Sequence, residues 1–197
     1  MGHGIPAALK AVTINYLLKP SASGGYSVKN KPGDKSHLLK PSATLEMLND
    51  HFVDDRQGGS FFTIFYGILN TENFTLTFTR AGHCPPVLIP ANGAISELRQ
   101  GGPAVGLAKD VKYQDYVIHL KAGDKLFFYT DGITEAKNSE QKPFSKKGLL
   151  ELLSNNKQMA ISQLTGSVVY HVAHHLGSSE AEDDLTLFGL ELLGKRD

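Results

Sequence analysis

The sequence has one cysteine, no net charge and no long apolar run, and each of these absences excludes a class of protein. A lone cysteine, Cys84, cannot build an internal disulfide framework or a multi-cysteine metal site, which fits a reducing cytoplasm. The 20 basic and 20 acidic residues cancel, so the charge favours neither nucleic acid nor an anionic membrane as the main partner. The longest apolar stretch, residues 61–69, is about half as long as a membrane-spanning helix, and no basic leader precedes an apolar run at the N-terminus. We therefore expect a cytoplasmic protein without a membrane segment or a targeting signal.

The length of 197 residues predicts a single domain, because a domain commonly holds about 150 residues. We assign residues 1–197 to this domain. Within it, residues 19–42 are rich in proline, glycine, serine and lysine, a composition typical of a long flexible insertion loop. Residues 193–197 form a short tail.

Helical periodicity lies at both ends of the chain. It predicts a helix over residues 5–18, a second over residues 42–55, a short one near residues 147–153, and a longer one that Gly177 ends. The predicted inward faces consist of Ile5, Ala8, Leu9, Val12 and Tyr16; of Leu45, Leu48 and Phe52; and of Ile161, Leu164, Val168 and Val172.

The middle of the chain has the patterns of β-strands joined by tight turns. Residues 61–69 are almost continuously apolar, which predicts a strand covered on both faces, and Asn92-Gly93 is a strong hairpin turn. The predicted strand pairs are residues 61–69 with 74–79, 87–89 with 95–98, and 116–120 with 125–130, before a closing strand at 185–192. Hairpins between two groups of helices predict an α+β fold, with helices layered on mainly antiparallel sheets.

Carboxylates stand at the ends of two predicted strands. Asp131 directly follows residues 125–130, and Asp183 and Asp184 precede the closing strand. Each group alone has a simple structural interpretation, since Asp-Gly is common in turns and acidic runs are usually solvated. Together they offer the oxygen ligands that Mg²⁺ and Mn²⁺ take from proteins. Two such ions could activate a bridging water, so that no serine, cysteine or histidine nucleophile would be needed.

Two other phosphate chemistries are excluded by single positions. A cysteine phosphatase needs an arginine at the position that Pro90 occupies relative to Cys84, so we interpret Cys84 as a packed thiol. Residues 101–106 match half of a phosphate-binding loop, but Leu107 stands where the lysine must be.

Basic side chains allow further roles beside structural ones. His171 and His175 lie four residues apart on a predicted helix and could form a zinc pair, but the glutamate of a zincin motif is missing. Histidines in the last turn of a helix are also stabilised by its dipole, so a structural role is favoured. His83 could orient a loop beside a cleft or be a hydrogen-bonded structural residue, and Arg80 could bind a phosphate or lie on the surface.

Six short motifs occur in a recognisable order. They are Gly2-His3-Gly4-Ile5-Pro6-Ala7-Ala8-Leu9, Phe65-Tyr66-Gly67, Ala81-Gly82-His83, Gly101-Gly102-Pro103, Tyr129-Thr130-Asp131-Gly132 and Asp183-Asp184-Leu185-Thr186. In this order they resemble the SpoIIE family, the bacterial branch of the metal-dependent type 2C serine/threonine phosphatases. The resemblance covers residues 2–192.

The resemblance implies an α-β-β-α sandwich of two mainly antiparallel sheets, and a protein serine/threonine phosphatase of bacterial signalling. A metal-bound water would attack phosphoserine or phosphothreonine. Metal ligation falls on Asp131 and Asp183, with Asp184 beside them, in a two-metal site for Mn²⁺ or Mg²⁺. Family substrates are often anti-sigma-factor antagonists, so the expected partner is a phosphorylated regulatory protein of this kind. An upstream sensor or receiver domain is expected in the full-length protein.

The chain departs from the family pattern at its start. Relatives carry an Asp that bridges both metals shortly before the Gly-His-Gly turn, whereas here only Met1 precedes that turn, and the first strands are missing. We therefore expect an N-terminally truncated domain with an incomplete metal site and little activity on phosphopeptides. A catalytically dead, phosphatase-like binding or regulatory module is the alternative. Missing strands would leave a sheet edge unpaired, which predicts a homodimer through that edge.

Overall fold

The computed structural model of the chain describes residues 5–18, 28–29, 37–53 and 61–194. Contacts divide the chain into two units. The first comprises Met1–His83 and Gln100–Ile118, and the second comprises Cys84–Arg99 and His119–Asp197. Neither unit is a single stretch of sequence. The assignment of residues 1–197 to one domain stays a prediction.

Helices and strands lie close to the predicted ranges. In the described residues the helices are α1 (Ile5–Leu18), α2 (Pro41–Val53), α3 (Asp131–Glu135), α4 (Lys146–Asn155) and α5 (Ile161–Leu176). The strands are β1 (Val28–Lys29), β2 (His37–Leu38), β3 (Ile64–Asn70), β4 (Thr75–Ala81), β5 (Val87–Ile89), β6 (Ser96–Glu97), β7 (Tyr116–His119), β8 (Lys125–Tyr129) and β9 (Leu187–Glu191). Within the predicted loop 19–42, β1 and β2 pair antiparallel with each other. The rest of that loop before residue 37, and with it the predicted flexibility, lies outside the described residues, as do residues 195–197 of the predicted tail.

The first sheet has the strand order β3-β4-β7. β3 and β4 form the predicted antiparallel hairpin, in which Asn70 is opposite Thr75. The Asn70 side chain closes the turn by accepting a hydrogen bond from the Glu72 amide at 2.9 Å. The prediction that this apolar strand is covered on both faces is wrong, because Gly67 is exposed and most of its neighbours in β3 are only partly buried. Among the described strands, β3 pairs with β4 alone, so it is an edge strand.

Helix α1 has the predicted limits, but its predicted inward face is wrong. Leu9, Val12 and Tyr16 are 63%, 67% and 71% exposed, whereas Leu17 is 5% exposed and packs in the core of the first unit. The reason is composition. Helix α1 is apolar around most of its circumference and Lys10 is its only charged residue, so periodicity alone does not select the buried side.

Helix α2 combines a predicted apolar face with polar groups that hold a long loop. Leu45 and Leu48 are fully buried, as expected. Asn49 is also fully buried: its Nδ2 donates to the Ala108 carbonyl at 3.0 Å, and its Oδ1 accepts from the Gly106 amide at 2.9 Å. These bonds fix a segment that has no regular secondary structure of its own.

The second sheet has the strand order β6-β5-β8-β9, and all of its pairs are antiparallel. The predicted turn joins β5 to β6, with Gly93 at a φ of 112° that favours glycine. Helix α5 packs closely on β9, since a side chain at Gly189 would overlap Ile161. The core between the sheet and helices α4 and α5 contains Val87, Ile89, Phe127, Tyr129, Leu149, Leu153, Leu164, Val168 and Val172.

A charged group ties the start of α5 to β9. Glu191 Oε2 accepts a hydrogen bond from the Ile161 amide at 2.9 Å, and Oε1 lies 3.6 Å from Nζ of the buried Lys125. The first amides of a helix lack partners within the helix and favour negative charge. One carboxylate therefore caps α5 and neutralises a buried lysine.

β7 and β8 do not pair with each other, which corrects the predicted third hairpin. β7 pairs with β4, and β8 lies between β5 and β9. The turn before β8 is held by Asp124, which is 7% exposed and accepts hydrogen bonds from the amides of Lys121 at 2.8 Å and Ala91 at 2.9 Å. Asp124 thus ties this turn to the residues after β5 rather than to β7.

The predicted α+β fold class is confirmed, because helices accompany two antiparallel sheets. Helix α5 ends at Gly177, as predicted, with a φ of 59°. The five-residue helix α3 escapes sequence prediction because it is too short to show a helical period. In the part of the chain that the structure describes, no helix has both the length and the apolar character needed to cross a membrane.

Candidate functional site

Asp131 lies where strand β8 gives way to helix α3. The β8–β9 ladder continues one step beyond Tyr129, since the Thr130 amide donates to the Thr186 carbonyl at 3.0 Å. Asp131 then opens α3, and its carbonyl accepts a hydrogen bond from the Thr134 hydroxyl at 3.0 Å. Its side chain is exposed at the end of a buried strand.

The segment that carries Asp183 and Asp184 is held against the same point. The Thr130 hydroxyl donates to the Asp184 carbonyl at 3.1 Å and accepts from the Thr186 amide at 3.1 Å. A Cβ on Gly132 would lie only 2.6 Å from the Asp184 carbonyl oxygen. The structure therefore brings together the two carboxylate-bearing segments at one end of β8 and β9.

The acidic segment also has its own internal contacts. Asp183 and Asp184 are both exposed, and Asp183 Oδ1 accepts a hydrogen bond from the Asp184 amide at 2.8 Å. One residue earlier, Glu182 forms an ion pair with Lys137 at 2.8 Å. This ion pair joins the segment to the residues that follow α3.

The oxygen donors of these carboxylates fit a hard divalent cation, but they would supply only some of its ligands. Mg²⁺ is commonly bound through one or two carboxylates and keeps several waters. Among the described residues, no group of three or more His, Cys, Asp or Glu side chains could hold a metal ion. Asp131 and Asp183 would therefore supply two of the ligands, and Asp184 lies beside them.

The histidines of α5 do not form a zinc pair. His171 Nδ1 lies 2.8 Å from the Ser167 carbonyl one turn earlier, whereas His175 Nε2 lies 2.9 Å from the Lys142 carbonyl in another segment. The two rings thus have separate partners, which supports the structural interpretation.

Arg80 and His83 together stabilise a loop. Arg80 Nη1 donates to the His83 carbonyl at 2.7 Å, and Nε donates to the Gln100 carbonyl at 3.3 Å. His83 Nδ1 lies 3.5 Å from the Thr63 hydroxyl, which is consistent with a structural histidine. Arg80 is partly buried and bonds two loop carbonyls, so it has a structural role in addition to its predicted position near the surface. Cys84 packs against the core of the second unit, as predicted for a packed thiol.

Two buried groups of the second unit have shifted pKa values. Burial raises the pKa of the Tyr129 phenol to about 12, with smaller effects of Cys84 and Glu97, so the phenol is neutral at physiological pH. Burial alone would raise the pKa of Glu97, but hydrogen bonds and charges from Arg99 and Lys146 hold it below its usual value. Glu97 thus remains ionised and links β6 to the start of α4 through an ion pair of 3.1 Å with Lys146.

Thr130 and Gly132 are site residues that the sequence does not identify by themselves. Both residues flank Asp131. The Thr130 hydroxyl donates to the Asp184 carbonyl, and a Cβ on Gly132 would lie only 2.6 Å from the same carbonyl oxygen. Apart from their place in the Tyr129-Thr130-Asp131-Gly132 motif, the sequence indicates only that glycine follows a strand-end aspartate, which a tight turn would explain equally well.

Comparisons with known proteins agree with the motif order. A sequence model of the family described as Stage II sporulation protein E (SpoIIE) matches residues 1–193. Protein IcfG of Synechocystis sp. is 25% identical over 190 residues, which cover 96% of this chain and 28% of that protein. Phosphoserine phosphatase RsbU of Bacillus subtilis is 25% identical over 194 residues, which cover 96% of this chain and 52% of that protein.

The fold is also similar to that of solved structures. The SiaA-PP2C domain of Pseudomonas aeruginosa matches with a TM-score of 0.75 and 17% identity, over 97% of this chain and 72% of that chain. This likeness concerns the fold. The chain spans only part of the two curated relatives, about half of RsbU and less of IcfG.

Proposed function

Because this chain belongs to the SpoIIE family, we propose that it forms part of a metal-dependent phosphatase that hydrolyses phosphoserine or phosphothreonine in proteins. The observation that supports this most strongly is the pair of hydrogen bonds through which Thr130 holds the segment of Asp183 and Asp184 beside Asp131. Two strand ends with exposed carboxylates offer the oxygen ligands that a divalent cation requires.

In this proposal Asp131 and Asp183 hold Mn²⁺ or Mg²⁺, and Asp184 contributes beside them. When bound, the ion supplies an activated water nucleophile and neutralises charge on the phosphate. The residues of the chain orient the ligands. Thr130 fixes the backbone of Asp184, and the ion pair of Glu182 with Lys137 restrains the segment one residue before Asp183.

The proposed substrate is a phosphorylated regulatory protein of the anti-sigma-factor antagonist type, in the cytoplasm of a bacterium. RsbU is named a phosphoserine phosphatase, which supports phosphoserine as the substrate class. The chain spans about half of that protein, so the substrate, the second metal site and a sensor or receiver domain in the full-length protein are parts of the proposal.

A catalytically dead module that binds a phosphoprotein is the second candidate function. It is favoured by the small donor set, since the described residues contain no group of three metal-ligating side chains. A dead module would bind the cation or the phosphoprotein without releasing phosphate.

Binding of Mn²⁺, measured by electron paramagnetic resonance, tests the ligand assignment first. We expect Asp131→Asn and Asp183→Asn each to weaken Mn²⁺ binding by more than about tenfold, since even indirect ligand contacts contribute about 10- to 100-fold. The matched control is Asp110→Asn, because Asp110 is exposed and has a φ of 56° that asparagine also adopts. Unchanged binding in both ligand variants would contradict the assignment.

Phosphate release from a phosphoserine peptide then separates the two candidate functions. A phosphatase gives Mn²⁺-dependent release that is weak in this chain and stronger in the full-length protein, and Asp131→Asn lowers kcat by more than about 100-fold. Mn²⁺ binding without any release, in this chain and in the full-length protein, would instead identify the dead module.

A further inference from the structure

An apolar groove of about 340 Å³ lies in the second unit, beside the carboxylate-bearing segments. Its deepest side chains are Ile133 and Val172, each 2% exposed, and its rim includes Val169 and Leu185, which are 53% and 41% exposed. Exposed aliphatic side chains around a depression are typical of a surface that binds a partner.

Two residues that line the groove are close sequence neighbours of the candidate metal ligands. Leu185 directly follows Asp184, and Ile133 is separated from Asp131 only by Gly132, the residue that approaches the Asp184 carbonyl. An extended peptide advances about 3.3 Å per residue. An extended peptide with its phosphoserine at the carboxylates would therefore reach the groove with a side chain a few positions away.

The two segments that contribute the lining residues outside α5 are strongly acidic. Residues 131–137 and 180–187 contain six carboxylates and one lysine, and that lysine, Lys137, is paired with Glu182. Two of the carboxylates, Glu135 and Glu180, are exposed and lie outside the proposed set of metal ligands. They would remain available to attract a basic side chain when the cation is bound.

We propose, on the basis of the phosphatase function above, that this groove binds the phosphoprotein substrate next to its phosphoserine. The segment that fits carries an aliphatic side chain a few residues from the phosphoserine and lysine or arginine beside it. The aliphatic side chain fills the groove between α5 and residues 185–187, and the basic side chain lies against the acidic rim. The groove thus selects among phosphoproteins, while the carboxylates act on the phosphate that all of them share.

Binding of unphosphorylated peptides in metal-free buffer tests the groove independently of catalysis. The probes are two fluorescein-labelled peptides of equal length with a central serine. The first peptide carries a leucine about three residues from the central serine and also two arginines. In the second peptide, serine replaces the leucine and two glutamates replace the arginines. By fluorescence polarisation we expect the Leu/Arg peptide to bind more than about tenfold more tightly, a difference of about 1.4 kcal/mol. Equal binding of the two peptides overturns the proposal.

Substitutions locate the binding surface. Val169→Lys fills the groove and adds a positive charge that repels the arginines of the peptide. It should therefore weaken binding of the Leu/Arg peptide by at least about tenfold. The matched control is Leu107→Lys, because Leu107 is about as exposed as Val169, at 56%, but belongs to the first unit. The affinity of this variant for the Leu/Arg peptide should be unchanged. Leu185→Ser provides a second groove variant should Val169→Lys prove unstable by thermal melting. Unchanged binding in a folded groove variant also overturns the proposal.

Hydrolysis distinguishes failure of this inference from failure of the proposed function. The phosphoserine forms of both peptides and p-nitrophenyl phosphate are offered to the unmodified protein with Mn²⁺. Release from p-nitrophenyl phosphate and from both peptides with equal kcat/KM upholds the phosphatase and overturns the groove, whereas selective peptide binding without any release upholds the groove alone. A dimer of the chain that Val169→Lys dissociates would assign the groove to a second copy, and this also overturns the proposal.

Discussion

At the scale of single residues, the candidate site depends on the absence of a Cβ atom at Gly132. A Cβ at this position would lie 2.6 Å from the Asp184 carbonyl oxygen, which is closer than non-bonded atoms approach. Gly132 lies within helix α3, where alanine would otherwise be the more stable residue. Glycine is therefore required here by the close approach of the 183–184 segment.

Gly132→Ala should push that segment away from α3 and destabilise the second unit. Steric overpacking of this kind costs about 1–3 kcal/mol of the free energy of unfolding. The matched control is Gly166→Ala in α5, where no atom lies within 4 Å of the Cβ position. There alanine should stabilise the protein by about 0.5–1 kcal/mol. Urea unfolding measures both changes, and equal stabilities of the two variants would contradict this explanation of Gly132.

The sequence identifies the acidic residues of the site better than the residues that hold them. Asp131 and Asp183 stand out because charged residues directly flank apolar strands in a recognisable motif order, although their role as ligands stays a prediction. The role of Thr130 cannot be predicted in this way. Its partners, Asp184 and Thr186, are distant in sequence and are set only by the register of β8 against β9.

At the scale of secondary structure elements, α2 positions a loop as well as filling a core. Besides the two bonds of Asn49, Glu46 accepts a hydrogen bond from the Tyr113 amide at 3.2 Å, and Asp115 accepts one from the Ser42 amide at 2.7 Å. These contacts are spread along the helix, so α2 and residues 106–115 stabilise each other.

Asn49→Ala removes two of these contacts and should destabilise the first unit by about 1–3 kcal/mol, because a buried amide and a carbonyl lose their partner. Hydrogen exchange of the amides of residues 106–113 should accelerate at the same time. Asn155→Ala is the matched control, since Asn155 is exposed near the end of α4, and its effect should stay within about 0.5 kcal/mol. Slow exchange in the Asn49 variant would show that the loop does not depend on α2.

Local sequence patterns predict the positions of helices and strands well, but they predict less well which face is buried and which strands pair. The apolar faces of α2 and α5 are predicted correctly because polar residues mark the other sides of both helices. Helix α1 lacks such marking, and its buried side is decided by the packing of Leu17 against α2. Likewise β7 is identified as a strand, but its partner is β4 rather than β8, since hydrophobic alternation carries no information about the sheet that a strand joins.

At the scale of the whole molecule, each unit is assembled from two separate parts of the sequence. Composition and hairpin patterns predict the α+β class, and the motif order predicts the family to which residues 1–193 match. Neither predicts the division of the strands between two sheets, because contacts between distant segments determine it.

The same strand order predicts self-association. In the described part of the chain β3 has a partner on one side only, and an open edge of seven residues can pair with a second copy. We expect a dimer by light scattering at high protein concentration, and its dissociation by Ile68→Lys, which adds charge in the middle of β3. Leu107→Lys, outside the sheet, serves as the control. A monomer at all concentrations would contradict the predicted homodimer through a sheet edge.

The carboxylate of Glu191 has a mechanical consequence for the groove. It holds the first amide of α5 at Ile161 and lies beside Lys125, so that end of the helix is attached to β9. The side chains that α5 contributes to the groove belong to the other half of the same helix, from Val169 to Leu176. A bound segment that displaces this half would make α5 rotate about its fixed beginning, which would open the wall of the groove while the strand beneath the start of the helix keeps its register.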